Sequence, residues 1–137
     1  MSKYLLDTNI WIHFIKGEYD LRNRIQKVGF QSCYLSEITI AELLYGVEKS
    51  APDRKAINLQ RVLDLRTAFS EQTIAISGCL AEYARQKAQL IRMGRRVDDL
   101  DIFIGSSSIV EGFTLVTRNT KDFINMNGIK LENWIDD

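Results

Sequence analysis

A short apolar strand that ends at a carboxylate constrains the fold more than any other segment of the chain. Residues 4–6 are apolar, Asp7 follows at once, and Thr8 and Asn9 precede a second apolar run over residues 10–15. A strand this apolar is expected to be buried in a parallel sheet. In α/β proteins the functional residues lie at the carboxyl edge of such a sheet. Asp, Thr and Asn also cap helices, so Asp7 is equally explained as the cap of a helix that begins near Asn9.

Strand-like and helix-like segments alternate along the rest of the chain. Further strands are predicted at residues 32–35, 72–76, 113–117 and 129–131, and further helices at residues 18–28, 36–50, 54–69, 77–93 and 100–110. This alternation predicts an α/β fold with a parallel sheet between helical layers. The length fits one domain over residues 1–137. The two common glycine-rich phosphate-binding patterns, G-x-G-x-x-G and G-x-x-x-x-G-K-[ST], do not occur in the sequence, so no nucleotide cofactor is expected.

Acidic and amide side chains stand where predicted strands end or predicted helices begin. They are Asp7, Glu42, the group Asp98, Asp99 and Asp101, and the pair Asn119 and Asp122. Each alone has a structural explanation as a helix cap, a capping box or a loop residue. Strand-to-helix junctions of a parallel sheet share one edge, however, so we expect these side chains to face one crevice.

Carboxylates gathered in one crevice raise one another's pKa unless a cation lies among them. Mg²⁺ or Mn²⁺ is the expected counter-ion, because both are hard cations that take oxygen ligands. The single histidine, His13, lies in an apolar run, so zinc is not favoured. A carboxylate-bound cation can activate water and stabilise the leaving oxygen, which predicts phosphodiester hydrolysis.

A basic run leads directly into the acidic group at Asp98. It contains Arg85, Lys87, Arg92, Arg95 and Arg96. Lys plus Arg equal Asp plus Glu at 18 each, so bulk charge does not indicate nucleic acid, and a solvated helix face would explain the run. Because the run adjoins the expected metal site, we predict that Arg85, Arg92, Arg95 and Arg96 bind a polyanion.

Four segments resemble, in order and spacing, the motifs of PIN-domain ribonucleases. They are YLLDTNI at residues 4–10, TIAELLYG at 39–46, GRRV at 94–97 leading to DIFIG at 101–105, and LVTRNTKDF at 115–123. Their order and the chain length are similar to those of the VapC toxins of bacterial toxin–antitoxin pairs. The resemblance covers essentially the whole chain.

The resemblance implies a PIN-like three-layer sandwich with a short central parallel sheet, and a Mg²⁺- or Mn²⁺-dependent endoribonuclease that cuts tRNA or a structured RNA loop. It also implies a cognate antitoxin and a homodimer. Catalytic residues are expected at Asp7, Glu42, Asp101 and Asn119, metal ligands at Asp7, Glu42, Asp101 and Asp122, and RNA contacts at Thr8 and Asn9 beside the four arginines. Asn119 departs from the family, which often has Asp there, and adds no charge.

Two other interpretations use the same residues. An aspartyl phosphatase would employ Asp7 as nucleophile, but such enzymes commonly carry a second Asp two residues on, where this chain has Asn9. A non-catalytic PIN-like module would bind RNA or protein without cutting, although all three acids of the PIN motifs are present.

Cellular context is predicted from two further features. No apolar stretch is long enough to cross a bilayer and no signal-peptide pattern occurs, so we expect a cytoplasmic protein without a membrane partner. Cys33 and Cys79 have no metal-ligand spacing and are expected to be buried, reduced thiols.

Overall fold

The computed structural model describes residues 2–137 and contains five strands and seven helices over that range. The strands are β1 (Tyr4–Leu6), β2 (Cys33–Ser36), β3 (Thr73–Ile74), β4 (Thr114–Val116) and β5 (Leu131–Glu132). The helices are α1 (Thr8–Ile15), α2 (Leu21–Val28), α3 (Glu37–Glu48), α4 (Lys55–Ala68), α5 (Leu80–Arg92), α6 (Asp99–Glu111) and α7 (Thr120–Phe123).

All five strands are parallel, in the order β3-β2-β1-β4-β5. Strand β1 lies in the centre, where Tyr4 pairs with Cys33 of β2 and with Thr114 of β4. The backbone N–H of Asp7 donates to the carbonyl of Val116 at 2.8 Å, which extends this pairing to the end of both strands. The predicted delivery of Asp7 to the carboxyl edge of a buried central strand is confirmed.

The core consists of two apolar clusters, one on each face of the sheet. Leu6 and Val116 face the cluster formed with α1 to α4, whereas Leu5 and Leu115 face the cluster formed with α5, α6 and α7. This alternation follows from the two-residue period of a strand. All four side chains are fully buried, which explains why apolar residues occupy both faces of β1 and β4. The predicted three-layer α/β sandwich is confirmed.

Three helices differ from the sequence prediction by more than two residues. Helix α2 begins at Leu21 and not near residue 18, because Tyr19 and Asp20 have left-handed φ angles of 57° and 54°. Helix α5 begins at Leu80, after a 3₁₀ turn at Ile76–Cys79. Helix α7 was not predicted, since four residues are too few to show a helical period.

Small residues in α6 allow the chain around α7 to approach closely. A Cβ atom added at Gly105 would lie 2.6 Å from the Met126 sulfur, a distance that side chains do not tolerate. The hydroxyl of Ser108 donates to the Gly105 carbonyl at 2.7 Å, but the buried Ser106 hydroxyl has no partner. This close packing places α7, and with it Asp122, beside the start of α6.

Both cysteines are buried and free, as predicted. Burial raises the pKa of the Cys33 thiol to about 12. Within residues 2–137, no helix combines the length and apolar character that a membrane span requires.

Candidate active site

Asp7 lies at the centre of the site and is only 4% exposed. Its carboxylate accepts hydrogen bonds from the Thr117 hydroxyl at 2.8 Å, the Thr8 backbone N–H at 2.8 Å and the Asn9 amide at 3.1 Å. Burial raises the pKa of Asp7, and these three hydrogen bonds oppose the rise. Asp7 also caps α1. The same side chain therefore caps the helix and lies in the crevice.

Glu42 projects from α3 towards Asp7. Its Oε1 accepts a hydrogen bond from the Thr8 hydroxyl at 2.6 Å, and the Thr8 and Thr39 hydroxyls are 2.9 Å apart. Burial first, and then the negative charges of Asp7 and Asp98, raise the pKa of Glu42. The capping-box explanation of Glu42 is wrong, because α3 is capped by Ser36, whose hydroxyl accepts from the Ile38 N–H at 3.0 Å.

The three neighbouring aspartates at the start of α6 have three different environments. Asp98 caps the helix by accepting from the Leu100 N–H at 2.8 Å. Asp99 turns towards α5, where Lys87 lies 2.9 Å away and lowers the pKa of this carboxyl. Asp101 faces the crevice.

Burial and the surrounding carboxylates raise the pKa of Asp101 to about 7. The charges responsible after burial belong to Asp7, Asp98, Glu42 and Asp122. Five carboxylates therefore share one electrostatic environment in a crevice at the carboxyl edge of the sheet, whereas Asp99, which was expected there too, pairs with Lys87.

Asp122 and Asn119 lie at the far side of the crevice, in and before α7. Asp122 lines a cleft of about 300 Å³ together with Asp98 and Asp101, and its charge raises the pKa of Asp7. Asn119 is exposed, and its backbone N–H donates to the Thr117 hydroxyl at 3.0 Å. A catalytic role for the Asn119 side chain stays a prediction.

Thr117 is the important residue that the sequence analysis missed. It is fully buried at the end of β4, where its hydroxyl donates to Asp7 and accepts from the Asn119 N–H. The Asn9 amide also approaches this hydroxyl, at 3.4 Å. The available signal was a hydroxyl-bearing residue at the carboxyl end of a buried strand, directly before the loop that carries Asn119.

The predicted RNA-binding residues separate into two groups. Arg95 and Arg96 line the same cleft as Asp101 and Asp122, whereas Arg85 pairs with Glu82 at 2.7 Å further back along α5. Arg92 is exposed in the last turn of α5. The structure therefore brings two of the four arginines to the carboxylates.

Thr8 and Asn9 direct their side chains inwards. Thr8 donates to Glu42, and Asn9 donates to Asp7 while accepting from the Arg118 N–H at 3.2 Å. Both residues hold the carboxylates in place, and their predicted contact with substrate stays a prediction.

Comparison with known proteins identifies the family to which this fold belongs. The model of the PIN domain family matches residues 4–129. The chain belongs to the PIN domain family. Ribonuclease VapC2 of Haemophilus influenzae is 34% identical over 98% of this chain and 100% of its own length. The tRNA(fMet)-specific endonuclease VapC of Shigella flexneri is 33% identical over 98% and 99%.

A solved structure shows the same fold. The crystal structure of DNA-bound VapBC from Salmonella typhimurium contains a chain that is 30% identical and superimposes with a TM-score of 0.86, over 98% of this chain and 99% of that one. The resemblance to PIN-domain VapC proteins that the sequence motifs indicated is confirmed.

The donor set of this PIN domain fits a hard divalent cation. Within residues 2–137 no group of three or more His, Cys, Asp or Glu side chains is placed so that it could hold a metal ion. Mg²⁺ keeps several of its waters, however, and is commonly bound through only one or two carboxylates. The carboxylates of Asp7, Glu42 and Asp101 all have raised pKa values, which is the electrostatic condition that a cation relieves.

Proposed function

We propose that this PIN domain is a Mg²⁺- or Mn²⁺-dependent endoribonuclease of the VapC toxin type, with residues 1–137 acting as one domain. The observation that carries the proposal is the group of five carboxylates in one crevice, where burial and the neighbouring charges raise the pKa of Asp101 to about 7. Such a group is unfavourable to folding by itself, so its presence needs a functional reason. Relatives of nearly the same length that are named ribonucleases support this reason.

The residues that would hold the cation are Asp7, Glu42, Asp101 and Asp122. The bound cation would activate a water molecule and stabilise the leaving oxygen of a phosphodiester. Thr117, Thr8 and Asn9 fix the orientation of the Asp7 carboxylate by three hydrogen bonds. The exposed Asn119 amide would orient the attacking water without adding a negative charge.

The substrate proposed for this site is RNA, with tRNA or a structured RNA loop as the finer expectation. Arg95 and Arg96 lie beside Asp101, so their guanidinium groups can hold phosphates that the acidic cluster alone would repel. Lys121 lines the same cleft and adds a third cation. The relative from Shigella flexneri, which is named as specific for tRNA(fMet), supports the tRNA expectation.

We further propose that a cognate antitoxin silences the enzyme with a basic side chain. An Arg or Lys placed among Asp7, Glu42 and Asp101 would form charge-assisted hydrogen bonds and take the position of the cation. The structural neighbour from Salmonella typhimurium, which is a VapBC complex, supports the existence of such a partner.

A homodimer is proposed through residues 40–45 of α3 and residues 59–69, which comprise the second part of α4 and the residue after it. Ile40 and Leu43 of α3 belong to the core and are 7% exposed each. Within these two segments the exposed large apolar side chains are Tyr45, Leu59 and Leu63, at 66%, 38% and 40%. These three define the surface that would contact a second copy.

The test of the proposed activity is RNA cleavage by the Asp7→Asn variant. Asn has nearly the shape of Asp but lacks the charge, so the fold should persist while cleavage in Mg²⁺ is lost. The matched control is Asp64→Asn, an exposed position on α4, which should cut RNA like the wild type. Full activity of Asp7→Asn would contradict the assignment of the site.

A further inference from the structure

A second cleft lies beside the carboxylate cluster, between the end of α5 and the start of α6. We call it the side cleft. Its volume is about 770 Å³, which falls within the range of roughly 300–1,000 Å³ typical of small-molecule pockets. Its apolar wall is formed by Leu90, Ile91, Val97 and Ile102. None of the roles proposed above for the carboxylate cluster uses this cleft.

The apolar wall of the side cleft has a fixed base and an open rim. Leu90 and Ile102 are 1% and 2% exposed and belong to the core, so they form a rigid base. Ile91 is 64% exposed and stands at the rim. Core residues beneath an open apolar rim provide a surface on which a flat aromatic ligand can lie.

The side cleft is continuous with the carboxylate cleft. Arg95, Arg96, Val97 and Asp98 line both of them. Within residues 2–137 neither arginine forms an ion pair, whereas Lys87 at the other end of the side cleft is neutralised by Asp99 at 2.9 Å. The unpaired positive charge is therefore concentrated where the two clefts meet.

The backbone after α5 fixes the two arginines at this junction. Gly94 has a left-handed φ of 72°, and the Gly94 N–H donates to the Ile91 carbonyl at 2.9 Å. The Arg95 N–H donates to the Leu90 carbonyl, also at 2.9 Å. This is the hydrogen-bonding pattern with which a glycine ends a helix, and it orders the chain directly before Arg95 and Arg96.

We propose that the side cleft binds an unpaired nucleobase of the RNA, next to the phosphodiester that the carboxylate cluster cuts. The inference rests on the proposed function and adds a subsite for one base that is turned out of the stack beside the cut phosphodiester. The apolar wall receives the base, and Arg95 and Arg96 hold the phosphates that join it to the cut site. A base in a duplex is held in its stack and cannot enter, which is why RNA-specific proteins commonly select splayed single strands.

The experiment compares short single-stranded RNAs with matched RNAs that lack one base, scanned along the strand. Binding is measured by fluorescence anisotropy in EDTA, and cleavage of the same RNAs is measured in Mg²⁺. The protein variants are wild type, Ile91→Gln and the control Ile57→Gln, an isoleucine on α4 that is 47% exposed. Thermal melting confirms that all three fold.

Loss of the base at one position should weaken binding roughly tenfold in the wild type and in Ile57→Gln, because the apolar area that the base buries against the cleft wall is lost. In Ile91→Gln the same loss should have little effect. Equal effects in wild type and Ile91→Gln, or no position with an effect in the wild type, would overturn the proposal. A base-dependent binding effect without any cleavage would retain the side cleft and reject the proposed endoribonuclease activity, whereas the absence of RNA binding would overturn the inference itself.

Discussion

Asp101→Asn should stabilise the metal-free protein at alkaline pH. The pKa of Asp101 is raised from 3.8 to about 7 by burial and by four neighbouring carboxylates. At roughly 1.4 kcal/mol per pH unit this rise corresponds to at most about 4 kcal/mol of destabilisation by the ionised form. Asp101 is only partly buried, and solvent screening reduces the expected gain from Asn to about 1–2 kcal/mol.

The sign of the pH dependence follows from the direction of the shift. A carboxyl group with a raised pKa in the folded state favours folding below its unfolded pKa, and this contribution is lost as pH rises through the folded pKa of about 7. The increase in the free energy of unfolding caused by Asp101→Asn should therefore be absent near pH 4 (about the unfolded pKa of Asp), grow as the pH rises, and reach its full size above about pH 8.

Urea and thermal denaturation in EDTA between these pH limits measure the effect. A gain of 1–2 kcal/mol corresponds to a rise in Tm of roughly 5 °C for a chain of this size. Asp64→Asn, at an exposed position of α4, is the control and should leave Tm nearly unchanged at every pH. A gain that is independent of pH, or one equal to that of the control, would refute the electrostatic account of the cluster.

Two further predictions concern α6 and the loop before it. Ser106→Ala should raise the free energy of unfolding by about 1 kcal/mol in urea melts, because the buried Ser106 hydroxyl has no partner. The control Ser108→Ala removes a hydrogen bond of 2.7 Å and should not raise the free energy of unfolding. Destabilisation by Ser106→Ala would contradict the prediction. Charge reversal at Arg95 and Arg96 should raise KM for RNA and flatten its salt dependence while sparing kcat, since both lie beside the carboxylates. The same change at Arg85 should have a smaller effect on KM, and equal effects at all three positions would indicate a nonspecific response to charge.

Patterns that depend on local spacing predicted the fold and the carboxylates of the site. The apolar runs of β1 and β4 predicted buried parallel strands, and a parallel sheet necessarily brings the residue after each strand to one edge. Asp7 was identified because it follows a strand, whereas Glu42 and Asp101 were selected among the acidic residues by the resemblance to the PIN-domain motifs. Their common electrostatic environment then follows from topology alone.

Side-chain orientation could not be predicted from the spacing of residues in the sequence. Asp99 and Asp101 are two positions apart on a helix, and only the structure shows that Asp99 pairs with Lys87 while Asp101 faces Asp7. The sequence spacing identified Thr117 only as a strand residue. Its role could not be predicted, because the carboxylate to which its hydroxyl donates, that of Asp7, is 110 positions away in the sequence. The left-handed Tyr19 and Asp20 gave no signal, since neither is glycine.

Titration of the EDTA-treated protein with Mg²⁺, following RNA cleavage and Tm together, tests the central claim most directly. Cleavage by the wild type should be absent without metal and should rise to saturation, while Tm increases by mass action. Asp7→Asn should show no cleavage and a much smaller rise in Tm, because the most buried carboxylate of the site has lost its charge. Cleavage that persists in metal-free buffer, or an equal rise in Tm for both proteins, would contradict a metal-dependent ribonuclease built on this cluster.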